Sequence, residues 1–126
     1  MIINVYREQC DTSFGNLPDL QFPNHEIAVI YMYAELTTKV EDVFVTLSCT
    51  LVDRDMTNPR QEIASFFNTS YYGETNALEY KPTQLVWYKM QSPWLSDCYF
   101  DLKLERSNQI TKLAKINIKL QIREVC

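Results

Sequence analysis

The chain has 126 residues, a net charge of -4 and a hydrophobic fraction of 46%. These values indicate a single globular domain over residues 1–126 and argue against a disordered chain. With two glycines in total, the sequence cannot build the glycine-rich loop of a phosphate or dinucleotide site. Its acidic balance argues against a nucleic-acid partner.

Seven segments have the alternation or the β-forming composition of strands. They span residues 2–8, 26–36, 43–53, 63–67, 84–90, 98–105 and 115–124. The last is the clearest, with isoleucine or leucine at the even positions 116–122 and polar residues at the odd positions 115–123. Turn-rich segments separate the strands, so we predict an all-β, antiparallel sandwich with jelly-roll topology.

The segment 26–36 is apolar on both faces. Ile27, Val29, Tyr31 and Tyr33 alternate with a second set that includes Met32. One face must meet the partner sheet, and the other is then covered by a draped loop or by a second chain. Burial in an assembly would make Met32 an interface residue.

Two features of the sequence bear on whether the chain is exported or crosses a membrane. No secretory signal pattern is visible at the N-terminus, and the longest apolar stretch, residues 27–34, is about half a membrane span. We expect a soluble chain without a membrane partner.

Four widely spaced cysteines, Cys10, Cys49, Cys98 and Cys126, match no zinc pattern, and free buried thiols are favoured over two disulfides.

The sequence offers few candidates for catalytic or metal-binding residues. A lone histidine, His25, cannot make a zinc site alone, and no nucleophile or orienting acid is identified beside it. Asp53 and Asp55 follow a strand, where aspartate is ordinary turn chemistry, although a calcium site is the alternative. We therefore predict no catalytic residues, no metal, no cofactor and no enzyme activity.

Loop aromatics and a basic strand are the better candidates for partner contacts. Tyr71, Tyr72 and Trp94 lie in predicted loops and either plug the ends of the sandwich or anchor a partner. Residues 1–80 hold 12 acids and 4 bases, whereas residues 103–126 hold 2 acids and 6 bases. The polar face of the last strand, with Lys115, Lys119 and Arg123, would then meet acidic strands of a neighbour, unless the asymmetry is only a set of solvated faces.

The order of segments from residue 43 to 122 resembles small jelly-roll capsid proteins of eukaryotic double-stranded DNA viruses. These are the penton or minor capsid type of the Polinton, adintovirus and virophage group. The matching pieces are Val-Phe-Val-Thr-Leu-Ser-Cys-Thr-Leu-Val, a turn with Asn58-Pro59, a strand with Ile63 and Phe66, Pro-Thr-Gln-Leu-Val-Trp-Tyr-Lys, Phe-Asp-Leu-Lys-Leu and Ile-Asn-Ile-Lys-Leu-Gln-Ile. The resemblance covers about two-thirds of the chain and brings no catalytic residues.

These observations favour a non-enzymatic structural subunit, located in a virion or inside a cell. Its expected partners are copies of itself or other capsid and assembly proteins. The alternative is a sugar- or peptide-binding sandwich, lectin-like or an adaptor, that uses Tyr71, Tyr72 and Trp94.

Overall fold

The computed structural model describes residues 1–40, 43–51, 61–68, 75–105 and 112–125. This part of the chain is almost entirely β-structure, which confirms the predicted all-β sandwich. The strands are β1 (Ile2–Asp11), β2 (Ser13–Phe14), β3 (His25–Val40), β4 (Val43–Cys49), β5 (Gln61–Asn68), β6 (Thr75–Tyr80), β7 (Tyr88–Lys89), β8 (Phe100–Glu105) and β9 (Lys112–Glu124). One 3-10 turn, Leu95–Asp97, precedes β8.

The strands form two sheets. Sheet A has the order β1-β9-β3-β6, with the short β7 also paired to β3, and sheet B has the order β2-β8-β4-β5. All of these pairings are antiparallel. The chain passes from one sheet to the other between most consecutive strands, so each sheet combines strands that are distant in sequence.

The core lies between the two sheets, where each contributes one apolar face. The even positions 116–122 of β9 and the odd positions 43–49 of β4 are all buried, as the sequence alternation predicts. Sheet B also contributes Phe100 and Leu102 of β8, Ile63 and Ala64 of β5 and Phe14 of β2, and Leu78 comes from β6 of sheet A. Loop residues Leu17, Phe22 and Leu95 join the same cluster.

A β-bulge explains why the sequence of β3 looks apolar on both faces. Val29 pairs with Leu120 and Tyr31 with Lys119, so Ile30 is an extra residue opposite one step of β9. A bulge reverses the side-chain alternation, and it brings residues from both predicted faces to the core, namely Ile27, Val29, Met32, Ala34 and Leu36. Met32 is fully buried, and this corrects its prediction as a partner-interface residue.

Two strands lie in segments that the sequence predicts as loops, and one predicted strand is mostly irregular. β2 and β6 were missed because β2 has only two residues and β6 buries a single side chain fully, Leu78. Of the predicted strand 84–90, only Tyr88–Lys89 is a β-strand. Among the described residues, no helix has the length and apolarity to cross a membrane.

Candidate functional site

The basic row of β9 lies on the outer face of sheet A, as its alternation predicts. Lys115 and Lys119 place their ammonium groups 5.8 Å and 5.6 Å from the ring centres of Tyr33 and Tyr31. Arg123 stacks closer, with its guanidinium carbon 3.8 Å from the Trp87 ring centre. Cations over aromatic faces are attracted by the ring quadrupole, so each basic side chain has an aromatic support.

The same face also carries the acids that pair with this row. Lys115 Nζ lies 3.5 Å from Glu35 Oε2, and Arg123 Nε donates to Glu26 Oε1 at 2.9 Å. Because β9 pairs with β3 in one sheet, Lys115 and Arg123 already have acidic partners within the molecule. The expected charge pairing with a neighbour therefore has an intramolecular competitor.

Three tyrosines of this face donate hydrogen bonds to carboxylates. Tyr6 reaches Glu8 at 2.6 Å, Tyr31 reaches Glu79 at 3.1 Å and Tyr33 reaches Glu35 at 3.2 Å. The hydrogen bond to Glu8 is the main reason that the pKa of Tyr6 is raised. For Tyr31 and Tyr33, burial contributes most to the raised pKa, followed by the carboxylate hydrogen bond.

The outer face of sheet B has a different composition, and its main feature is not among the residues that the sequence predicts as partner contacts. Phe44 of β4 pairs across the ladder with Phe67 of β5, and their side chains are 38% and 57% exposed. We call these two residues the phenylalanine patch. A signal was present in the sequence, because Phe44 occupies a position that the alternation of β4 assigns to the polar face.

Of the three predicted loop aromatics, Trp94 lies within the described residues. It is 41% exposed and occupies the N-cap position of the 3-10 turn. Its loop is tied down by two backbone hydrogen bonds, from Phe22 N–H to Pro93 O at 2.6 Å and from Leu95 N–H to Leu20 O at 2.9 Å. Tyr71 and Tyr72 lie outside the described residues.

The described cysteines are not in disulfides, as predicted. Cys49 and Cys98 are fully buried between the sheets. A hydrogen bond between these two thiols, together with burial, strongly raises the pKa of Cys98. Cys10 is partly exposed, and burial of its sulfur raises its pKa, while Cys126 lies outside the described residues. None of these shifts favours the reactive thiolate.

His25 begins β3 and is held by its surroundings rather than by an acid–base partner. Its Nδ1 lies 2.6 Å from the Pro23 carbonyl oxygen, and its ring contacts the edge of Phe22 at a centroid distance of 5.5 Å. Asp53 and Asp55 lie outside the described residues. Within the part of the chain that the structure covers, no three histidine, cysteine or acidic side chains group as metal ligands do.

Comparison of the chain with protein-family models, curated proteins and solved structures finds no match. The resemblance to viral jelly-roll proteins therefore stays a prediction from residue patterns.

Proposed function

We propose that this chain is a non-enzymatic structural protein of the viral minor capsid or penton-like type, and that it associates with copies of itself within a virion. The strand pairing carries the proposal. β1 pairs with β9, β2 with β8, β3 with β6 and β4 with β5, which is the nested order of a long hairpin rolled into two sheets. This order supports a jelly roll, a scaffold of viral capsids and lectins.

The phenylalanine patch is the surface that best supports self-association. Its neighbours on β8 alternate in charge, since Phe44 pairs with Glu105 and the next outward position holds Lys103. A twofold-related copy would bring Lys103 of one molecule to Glu105 of the other, with the two phenylalanine pairs at the centre. Such self-complementarity is what an isologous interface requires.

The free energy that association can gain by covering one of these phenylalanines is large enough to measure. Complete burial of a fully exposed phenylalanine contributes about 1.5–3 kcal/mol. Phe44 and Phe67 are 38% and 57% exposed, so covering the exposed part of one of them contributes about 0.6–1.7 kcal/mol, or about 3- to 20-fold in affinity. Substitution by aspartate also places a charge in the contact, which costs further desolvation, so we expect association to weaken by about tenfold.

Sedimentation velocity and size exclusion with light scattering test the proposal. We expect concentration-dependent oligomers of the wild type, and a weaker association for Phe67→Asp. Ile2→Asp is the matched control, because Ile2 is also an apolar strand residue, is 58% exposed and lies on β1 of sheet A. A wild-type chain that stays monomeric at high concentration, or a Phe67→Asp variant that associates normally, would contradict this role.

A second candidate function is a lectin-like or adaptor module that binds a sugar or a peptide. Trp94 supports it, because an exposed indole in a loop held by backbone hydrogen bonds offers a rigid stacking surface with little entropy to lose. Screening of the monomer against a glycan panel by calorimetry tests this function. Binding that disappears in Trp94→Ala would favour it over assembly, and a panel without any binder would remove the sugar-binding form.

A further inference from the structure

Among the described strands, β5 is an edge strand of sheet B with one unpaired side. It pairs with β4 at seven positions, from Val43–Asn68 to Cys49–Gln61, and no other described strand pairs with it. An edge strand presents backbone N–H and C=O groups that a further strand can use. Eight residues of β5 are long enough to align an added segment.

A cleft of about 330 Å³ runs beside the first part of this edge. Residues 61–65 of β5 form one wall, and Tyr80, Val86 and Tyr88 from the side of sheet A form the other. Phe66 stacks on Tyr80 with ring centres 5.2 Å apart, which links the two sheets next to the cleft. The cleft therefore combines a strand edge with a side-chain pocket.

The second wall is apolar and aromatic, and Val86 in this wall does not belong to a strand. This valine is 54% exposed in a stretch that has no regular secondary structure. Tyr80 and Tyr88 are partly buried beside it. A side chain that enters the cleft would cover Val86 and contact both rings.

We propose that the open edge of β5 and this cleft bind an extended segment of a partner protein that alternates apolar and basic residues. Strand addition supplies main-chain hydrogen bonds, and pockets for alternate side chains supply specificity. Because successive side chains of a strand point to opposite sides, every second residue of the segment would enter the cleft.

The charge of the cleft selects the basic class of segment. Glu62 is exposed and lines the cleft beside Tyr88, and among the described residues that line the cleft it is the one charged side chain. Burial contributes most to the raised pKa of Tyr88, and the negative charge of Glu62 raises it further. The cleft includes neither the phenylalanine patch nor Trp94, although Phe67 lies on the same strand as the first wall.

Fluorescence anisotropy with labelled eight-residue peptides, matched to β5 in length, tests the site. The probe alternates lysine and valine. One control peptide replaces lysine by glutamate, and another carries a central proline, which removes a ladder donor. We expect a dissociation constant below about 1 mM for the probe and much weaker binding of both controls.

Variants of the protein locate the binding. Val86→Ser should weaken binding of the probe by about tenfold. Glu62→Lys should weaken binding of the probe and strengthen binding of the glutamate peptide. Val125→Ser is the matched control, since Val125 is 41% exposed and does not line the cleft. Phe44→Asp changes the phenylalanine patch on β4, away from the edge of β5, and should leave probe binding unchanged, which separates this site from the self-association surface.

Three results would overturn the proposal. The first is no binding of the probe up to about 1 mM, and the second is equal binding of the proline peptide. The third is a wild-type dimer that Val86→Ser dissociates without any peptide, since a second copy of the chain would then be the occupant. Amide shifts confined to residues 61–65 on addition of the probe would support it.

Discussion

The two outer faces of the sandwich show opposite ways of placing aromatic side chains in water. On sheet A, each of Tyr6, Tyr31 and Tyr33 donates its hydroxyl to a carboxylate, and a lysine lies over two of the three rings. On sheet B, Phe44 and Phe67 have no polar group and remain exposed. The polar demands of the first face are met within the molecule, whereas the second face gains by being covered.

This difference ranks the two faces as contact surfaces. The contacts on sheet A join exposed groups, and such pairs contribute only about 0–1 kcal/mol each, so their main effect is to hold the side chains in one arrangement. A partner on this face would have to replace those contacts. A partner on sheet B would remove apolar surface from water, which is favourable without any exchange of hydrogen bonds.

The largest effect is expected where the bulge decides which side of sheet A faces the core. Met32→Ala should lower the free energy of unfolding by about 2–5 kcal/mol, because it leaves a cavity. Tyr31→Ala, one residue earlier and on the outer face, should cost about 1 kcal/mol or less. Urea denaturation measures both. Equal costs would mean that the bulge does not lie at Ile30.

Much of this architecture follows from side-chain alternation alone. The alternation of β9 predicts both the buried positions 116–122 and the outward row of Lys115, Lys119 and Arg123, and the structure has them so. β4 and β8 are predicted for the same reason. Each of these strands shows its core face in its own sequence because the opposite face is polar.

The features of the structure that the sequence does not predict depend on contacts between segments that are distant in the chain. A bulge at Ile30 is a property of how β3 pairs with β9, and no local pattern in β3 reveals it. β6 is an edge strand with one fully buried residue, Leu78, so its sequence resembles a loop. The phenylalanine patch needs the register of β4 with β5, and the cleft needs the edges of two sheets to be close.

A double-mutant cycle on the phenylalanine patch tests the apolar half of the comparison. The single variants Phe44→Ala and Phe67→Ala, with the double variant, should give a coupling energy of about 0.5–1 kcal/mol, as for cross-strand aromatic pairs. Stability is measured by urea denaturation of the monomer. Because the contact is apolar, added sodium chloride should leave this coupling unchanged, and a coupling that disappears in salt would contradict the assignment.

The matching cycle on sheet A should respond to salt. Arg123 contacts both Trp87 and Glu26, and the Arg123→Ala and Trp87→Ala cycle should give about 0.5 kcal/mol at low ionic strength. Screening over about 10 Å at 0.1 M salt should reduce the ionic part that Glu26 adds to the arginine's contribution. A stability loss for Arg123→Ala that is identical at low and high salt would contradict the polar character of this face.

The smallest expected effect is a change of stability at alkaline pH, and it comes from Tyr6 on sheet A. The pKa of Tyr6 is raised above its ordinary value of 10.0, mainly by its hydrogen bond to Glu8. Since the folded state holds the phenolic proton more tightly, this contribution to stability is complete below 10.0 and is lost as the pH rises through the folded-state pKa. Glu8→Gln removes the carboxylate and should move the ionisation back towards 10.0.

Phenolate formation is followed by ultraviolet absorbance as the pH is raised, for the wild type and for Glu8→Gln. The difference between the two titration curves gives the shift of Tyr6, because the other tyrosines contribute to both curves. Glu105→Gln serves as the control, because Glu105 lies on sheet B next to Phe44. A control variant that shifts the titration as far as Glu8→Gln would place the effect in the overall charge. In that case Glu8 would not act as the acceptor that fixes Tyr6, and the contrast between the two faces would lose its electrostatic half.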